Sequence, residues 1–527
     1  MGDPAAATDD TGGGHRAEVE HAHQRRLTWC PHAGVHAPLR CRSQWPSSTA
    51  DVPDDPDSAA PRVGGLHLQF GADAATEVVV SWHTAAPVRH PRVHYGTPAD
   101  GFREVADAET TGYLDAMSGK EILAHHARLT ALRPGANYVY AAVHDGAEPA
   151  LGTVRTAPRG RAPLRFTSFG DQGSPMLNAA RKGRFVSDSI GSPAAGDITA
   201  AVERTRPLFN LCNGDLAYAN LSGDRIRAWS DWLENNSRSA RHRPWMPAAG
   251  NHENELGNGP VGYAAYQSYF ALPDSGAGPG LHGLWYAFTA GSVRVISLNN
   301  DDVCYQDAGN SYIRGYSGGA QKCWLEAELA RTAADGDIDW IVVCMHQTAV
   351  STGDGTNGAD LGVRENWLPL FDRYGVDLVL CGHEHHYERS HPCRGTLPTG
   401  VLTPRPVGAD PLTVDTSSGT VHVMAGAGGT SVPSNRMLFP DARCRVLVGV
   451  GEVDPVSGLR VPRYVEEAAV WSAVRDVENP CGFLVFDVDP GPPGGPTTMT
   501  GTYLAVRGPY GDTEVVDRFV LTRPRRG

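Results

Sequence analysis

Between about residues 63 and 157 the apolar positions come in short runs broken by turn signals, the pattern of small β-strands. Leu66, Leu68 and Phe70 alternate, Val78–Trp82 is a second run, Val93–Tyr95 a third and Tyr138–Val143 a later one. The piece containing Leu132, Pro134 and Tyr138 resembles the corner of a fibronectin-type sandwich. His125 and His126 fall here with no partner at ligand spacing and read as ordinary strand-edge residues. After a linker at 158–163 the pattern changes, and apolar runs alternate with longer stretches of helical periodicity. Helices are predicted over Gly319–Ala334 and Glu365–Tyr374; in the second, Trp367, Leu370, Phe371 and Tyr374 fall on one side. Alternating strands and helices predict an α/β domain with a large sheet core. Past Val421 the strands follow more closely, which predicts a second, mostly antiparallel sheet closing the same domain.

The expected organisation is therefore a mobile tail over 1–60, a β-sandwich over 61–157 and an α/β domain over 163–522. The tail is rich in Gly, Ala, Pro, Asp and Ser and has no sustained periodicity. Its Cys30, His32, His36 and Cys41 do not have the spacing of a familiar structural zinc site.

Length and composition narrow the classes. At 527 residues, 41% hydrophobic and 20% charged, the chain has the make-up of a multidomain globular protein. No run approaches the ~18 apolar residues of a membrane span. A formal charge of −13 argues against a nucleic-acid partner, yet leaves room for an anionic substrate at a bound metal, which reverses the local field. Cys344 and Cys381 end apolar runs and read as buried thiols. Cys304 with Cys323, and Cys393 with Cys444, are left open as disulfides of an exported protein. No secretory signal is readable: Arg25-Arg26 is a twin arginine, but no hydrophobic segment follows it.

The candidate chemistry sits where five apolar runs of the α/β domain end. Leu164–Phe169 ends in Gly170-Asp171-Gln172-Gly173, and Leu208–Cys212 in Asn213-Gly214-Asp215-Leu216-Ala217-Tyr218. Trp245–Ala249 precedes Gly250-Asn251-His252-Glu253. Ile341–Met345 ends in His346, and Val376–Cys381 in Gly382-His383-Glu384-His385. Ligands of α/β sheets bind at the carboxyl ends of strands, so these clusters can converge. Any one of them is ordinary turn chemistry or a structural His. Together, two carboxylates, a phenol, an amide and three imidazoles suffice for two metal ions sharing a carboxylate.

This order of blocks resembles the purple acid phosphatases, within the calcineurin-like metallophosphoesterases. Their pattern is G-D-x-G, G-D-x-x-Y, G-N-H-D/E, V-x-x-H and G-H-x-H, and all five are present, Val343–His346 being the fourth. The resemblance covers about 60 to 520 and implies a four-layer αββα sandwich behind an N-terminal fibronectin type III-like β-sandwich. It implies that Asp171, Tyr218 and His385 hold Fe(III), that Asp215 bridges, and that Asn251, His346 and His383 hold a divalent Fe, Zn or Mn. Hard oxygen ligands suit a trivalent ion, and imidazole and amide a softer divalent one.

The implied function is acid phosphatase action on small-molecule phosphate monoesters, with a metal-bound hydroxide as nucleophile. His252, beside a ligand, would stabilise charge or protonate the leaving oxygen. Gly170, Gly214, Gly250 and Gly382 would let the chain turn at the sheet edge. Glu253 and Glu384 are candidates to orient imidazoles, a solvated surface position being the simpler reading of Glu384. Plant relatives carry further histidines between the fourth and fifth blocks; QTAVSTGDGTNGADLGVREN has none, which leaves protonation to His252. Asn299–Tyr305 and Gly353–Arg364 are the candidate substrate loops, with Arg364 as a possible phosphate anchor or a surface residue. Two alternatives stay open: a metallophosphoesterase for diesters or nucleotides, and a non-catalytic binding protein keeping the fold. Family resemblance suggests export; oligomeric state is left open.

Overall fold

The computed structural model describes residues 60–526, apart from 176–178, 182–183, 187–189, 310 and 509–510. The expected tail and its Cys30, His32, His36 and Cys41 lie outside the described residues. Strands dominate, and among the described residues no helix is long and apolar enough to cross a membrane.

The N-terminal unit is a seven-stranded β-structure. The four runs of the hydrophobic pattern become strands Gly64–Phe70, Val78–Thr84, Arg92–Gly96 and Asn137–Val143. Three more carry no clear apolar run: Glu104–Leu114 and Ala150–Arg155 because much of their length faces solvent, and Glu121–Leu129 because two histidines and two charged residues interrupt a largely buried strand. The long Glu104–Leu114 strand joins the two halves: its start pairs with Arg92–Tyr95 and the rest with Glu121–Ala127. His125 and His126 are not at an edge. Their strand lies between Val78–Thr84 and Glu104–Leu114, and buried His125 meets the hydroxyls of Thr84 and Thr110, each at 2.9 Å.

Two seven-stranded sheets form the centre of the remainder. In the first, Phe209–Cys212 lies parallel between Leu164–Phe169 and Trp245–Pro247. In the second, Val293–Ser297, Trp340–Cys344, Leu378–Cys381 and Val421–Ala425 run parallel in that order. These strands are buried on both faces, and period two divides their side chains. Trp340, Val342, Cys344, Leu378 and Leu380 join the core between the sheets, while Ile341, Val343, Val379 and Cys381 join the core beneath helices. Helices Ala194–Thr205 and Arg225–Ala240 accompany the first sheet. Ala320–Ala333 and Leu368–Tyr374 back the second, placing Leu325, Leu329, Leu368 and Phe371 in its outer core. The layers are helix, sheet, sheet, helix.

Two further expectations need correction. The closely spaced C-terminal strands do not make one sheet of their own; of the described ones, only Arg443–Val453 and Arg460–Ala468 stand apart, in a small sheet with Ala359–Asp360. Gly482–Asp489 pairs with Leu164–Phe169 and Val421–Ala425 with Leu378–Cys381, so they extend both central sheets. The helix expected over Glu365–Tyr374 is two short ones, Leu361–Asn366 and Leu368–Tyr374, broken at Trp367 just before Pro369. All eight described cysteines are free, so neither Cys304 with Cys323 nor Cys393 with Cys444 is joined. Cys344 and Cys381 are buried, as their runs predict.

Candidate metal centre

All five strand-end blocks meet above the carboxyl ends of the central strands. Three atoms gather on one side: Tyr218 Oη lies 3.2 Å from Asp171 Oδ1, and His385 Nε2 lies 3.3 Å from both. On the other side His346 Nε2 is the hub. It stands 3.0 Å from Asn251 Oδ1, 3.1 Å from Asp215 Oδ2 and 3.2 Å from His383 Nδ1. Asp215, His346 and His383 have ligand atoms all within 4.8 Å of one another, the one such group among the described residues.

The hydrogen bonds outside this space fix what faces into it. His346 Nδ1 donates to the Asn213 carbonyl at 2.7 Å, and His385 Nδ1 donates to the Val432 carbonyl at 2.8 Å. In each neutral imidazole the inward Nε2 is then the lone-pair nitrogen. Carboxylate, amide and imidazole lone pairs thus converge with too few protons to satisfy them. Such a donor set fits a cation.

The electrostatics agree. Burial disfavours charge on His346, but Asp215 and Asp171 outweigh it and push its pKa up to about 10. Burial and Asp171 hold the Tyr218 phenol well above its usual range. Burial and the neighbouring His346 hold His383 well below its own. Buried carboxylates here demand positive charge, and a metal cation supplies it without protonating the imidazoles.

The backbone is bent to make this geometry. Asp171, Asp215, Tyr218 and His383 all have positive φ, at 57°, 51°, 52° and 74°. That region is costly for residues with a Cβ, and such strain concentrates at functional sites. Glycine is needed here chiefly for close approach. A Cβ on Gly250 would lie 2.3 Å from Asp215 Oδ1, and one on Gly382 2.4 Å from Asp171 Oδ2.

Glu253 has a different task from the one its position suggests. It touches no imidazole; its carboxylate accepts from the backbone N–H groups of Asp215, Leu216 and Gly250 at 2.9, 2.8 and 2.7 Å. Burial and Asp215 push its carboxyl up to about 8 against those donors. It clamps two blocks together. Glu384 is likewise no surface residue: it is buried and accepts from the Gly358 N–H.

Several residues here carry no motif. His383 Nε2 donates to Gln306 Oε1 at 3.2 Å, leaving the Nδ1 lone pair to face inward. Asn357 Nδ2 donates to the His383 carbonyl at 3.2 Å. Glu255, fully buried, accepts from Trp229 Nε1 at 2.6 Å and from Tyr113 Oη at 3.0 Å, tying the Asn251–His252 segment to the N-terminal β-structure.

The candidate substrate loops are partly structural. Asn299 to Asp302 are buried, and Asn300 donates to the Gln347 carbonyl while accepting from Trp367 Nε1. Arg364 is fully buried and faces Ala349, Val401 and Glu467, which excludes it as a phosphate anchor.

Residues 63–157 match the family model described as the purple acid phosphatase N-terminal domain, and 185–387 that of the calcineurin-like phosphoesterases. An uncharacterized protein of Mycobacterium tuberculosis is 65% identical over 470 residues, 89% of each chain. A purple acid phosphatase of Glycine max is 26% identical over 399 residues, covering 72% of this chain and 77% of that one. Among solved structures, purple acid phosphatase PPD1 from yellow lupin seeds superposes with a TM-score of 0.63 at 19% identity, over 88% of this chain and 75% of that one. Fold, blocks and relatives agree: the chain belongs to the purple acid phosphatase-type metallophosphoesterases.

Proposed function

We propose that this phosphoesterase hydrolyses phosphate monoesters of small molecules at two metal ions. Asp171, Tyr218 and His385 would hold Fe(III), Asn251, His346 and His383 a divalent Fe, Zn or Mn, and Asp215 would join the two. The observation that carries this reading is the convergence of inward lone pairs around His346 Nε2 and between Asp171, Tyr218 and His385. When bound, such an ion pair supplies charge to clamp a phosphoryl group and acidify water.

The protein's own side chains do the rest. Gln306 and the Asn213 and Val432 carbonyls aim the three imidazoles. Glu253 keeps the Asp215 and Asn251 blocks in register. His252 stands with Nε2 3.9 Å from Asp215 Oδ2 and its side chain 23% exposed, so a substrate oxygen can reach it. It is the group placed to hand a proton to the departing alcohol.

Metal analysis, the visible spectrum and paired assays test the reading. The purified protein should hold about two metal ions per chain, hydrolyse p-nitrophenyl phosphate, and act far more slowly on bis(p-nitrophenyl) phosphate. Preference for the diester would move it to another branch of the metallophosphoesterases. A phenolate on Fe(III) gives a visible charge-transfer band, so the oxidised protein should be pink to purple. Tyr218→Phe should bleach it while keeping the fold, because the ring is fully buried and Phe retains its packing. A colourless wild type with two zinc ions, or a coloured Tyr218→Phe protein, would overturn the iron assignment.

A further inference from the structure

Asn220 belongs to none of the five blocks, yet it is the polar partner of His252. Its Oδ1 lies 2.9 Å from His252 Nδ1. Asn220 sits in the single helical turn Ala219–Leu221 that follows Tyr218, so the residues forming one side of the metal centre also deliver this amide. The His252 ring is held from a second direction by the Tyr218 ring, with centroids 4.6 Å apart. Its backbone N–H is held by Asp215 Oδ1 at 2.9 Å.

The Asn220 amide presents Oδ1 to the imidazole, which makes Nδ1 the donor. A Cβ on Gly309 would lie 2.8 Å from the Asn254 carbonyl oxygen and 3.4 Å from both the Asn251 carbonyl oxygen and Asn220 Nδ2, so this glycine lies against the amide. Gly309, at φ 56°, lets its loop close against this group where a Cβ would clash. The same loop carries Gln306 to His383.

We propose that Asn220 is the positioning residue for proton delivery. By accepting from Nδ1–H it fixes the ring and directs Nε2, the only other ring nitrogen, at the reacting centre. In the step this serves, the bond from phosphorus to the alcohol oxygen breaks with its electron pair staying on that oxygen. The Nε2 proton passes to it, giving the free alcohol. Water contributes the new oxygen on phosphorus, and a proton lost from that water restores Nε2. An amide does this without adding a negative charge beside Asp215.

The inference rests on the monoesterase reading, and the test separates the two. A good leaving group such as p-nitrophenolate needs little proton assistance, whereas a simple alkoxide needs it. With metal content equal to wild type, Asn220→Ala should lower kcat on an alkyl phosphate such as glycerol 2-phosphate by about tenfold or more, a modest part of what general acid catalysis supplies. On p-nitrophenyl phosphate the loss should stay within about threefold, and KM should move little on either substrate. Asn220→Asp keeps an acceptor at the same place and should recover most of the alkyl phosphatase activity. Equal losses on both substrates, no loss on the alkyl phosphate, or failure of Asn220→Asp to recover would each overturn the proposal. Wild-type protein that binds metal but hydrolyses neither ester would instead overturn the monoesterase reading.

Discussion

Asp215→Asn should fold, retain little metal and lose phosphatase activity by at least about a hundredfold, the upper end of what losing even an outer partner of a metal ligand costs. The substitution keeps shape and removes charge. Asp215 is the carboxylate in contact with His346: its Oδ2 is 3.1 Å from His346 Nε2, while Oδ1 accepts the His252 N–H at 2.9 Å. Asn suits the backbone here better than most residues, since φ is 51° and Asn tolerates the left-handed region. The backbone N–H at 215 stays clamped by Glu253 at 2.9 Å. Circular dichroism and the thermal midpoint should therefore resemble those of metal-free wild type. An Asp215→Asn protein with near-normal metal content and turnover would defeat the two-metal model.

Residues like Asp215 were legible because their chemistry is written in short words. Each block couples an apolar run with a polar turn, and the strand ends bring the words together. What could not be read is what holds the blocks in place from far along the chain. Gln306 reaches His383 across 77 residues, and Tyr113 reaches Glu255 across 142. Neither pair has a local pattern, because each side chain answers to a neighbour supplied by the fold. Asn220 was hidden differently: it lies two residues past Tyr218, where a polar residue after a motif reads as loop.

The same limit governs the strands. Val78–Thr84 and Trp340–Cys344 announce themselves because both faces are buried. Glu104–Leu114 does not, since only Tyr113 along it is buried, and its role is to bridge two halves of a sheet structure. The C-terminal strands were visible as strands but not as members of the central sheets. Pairing partners are set by long-range packing such as the Phe166–Phe486 stack, with ring centroids 4.8 Å apart.

Arg364 shows how charge and position alone mislead. It ends a substrate-loop candidate and bears the guanidinium that phosphate sites use, yet its side chain is fully buried. Its Nε donates to the Ala349 carbonyl at 2.7 Å, Nη1 to Val401 at 2.8 Å, and Nη2 pairs with Glu467 Oε1 at 2.8 Å. Glu467 is itself nearly buried and also accepts from the Thr403 hydroxyl. Arg364 thus ties the helix Leu361–Asn366 to the hairpin strand Arg460–Ala468 and to the turn at Val401. Removing one member of a buried pair leaves the other charge uncompensated, at a cost of about 3–5 kcal/mol. Two carbonyls lose their donors as well. Arg364→Ala should therefore lower the urea midpoint sharply, because a domain has only about 5–15 kcal/mol to lose. In the protein that remains folded, KM for p-nitrophenyl phosphate should stay near wild type. Arg364→Met combined with Glu467→Gln should regain part of the loss, since it fills the space and removes the stranded carboxylate. An unchanged midpoint together with a raised KM would return Arg364 to the substrate.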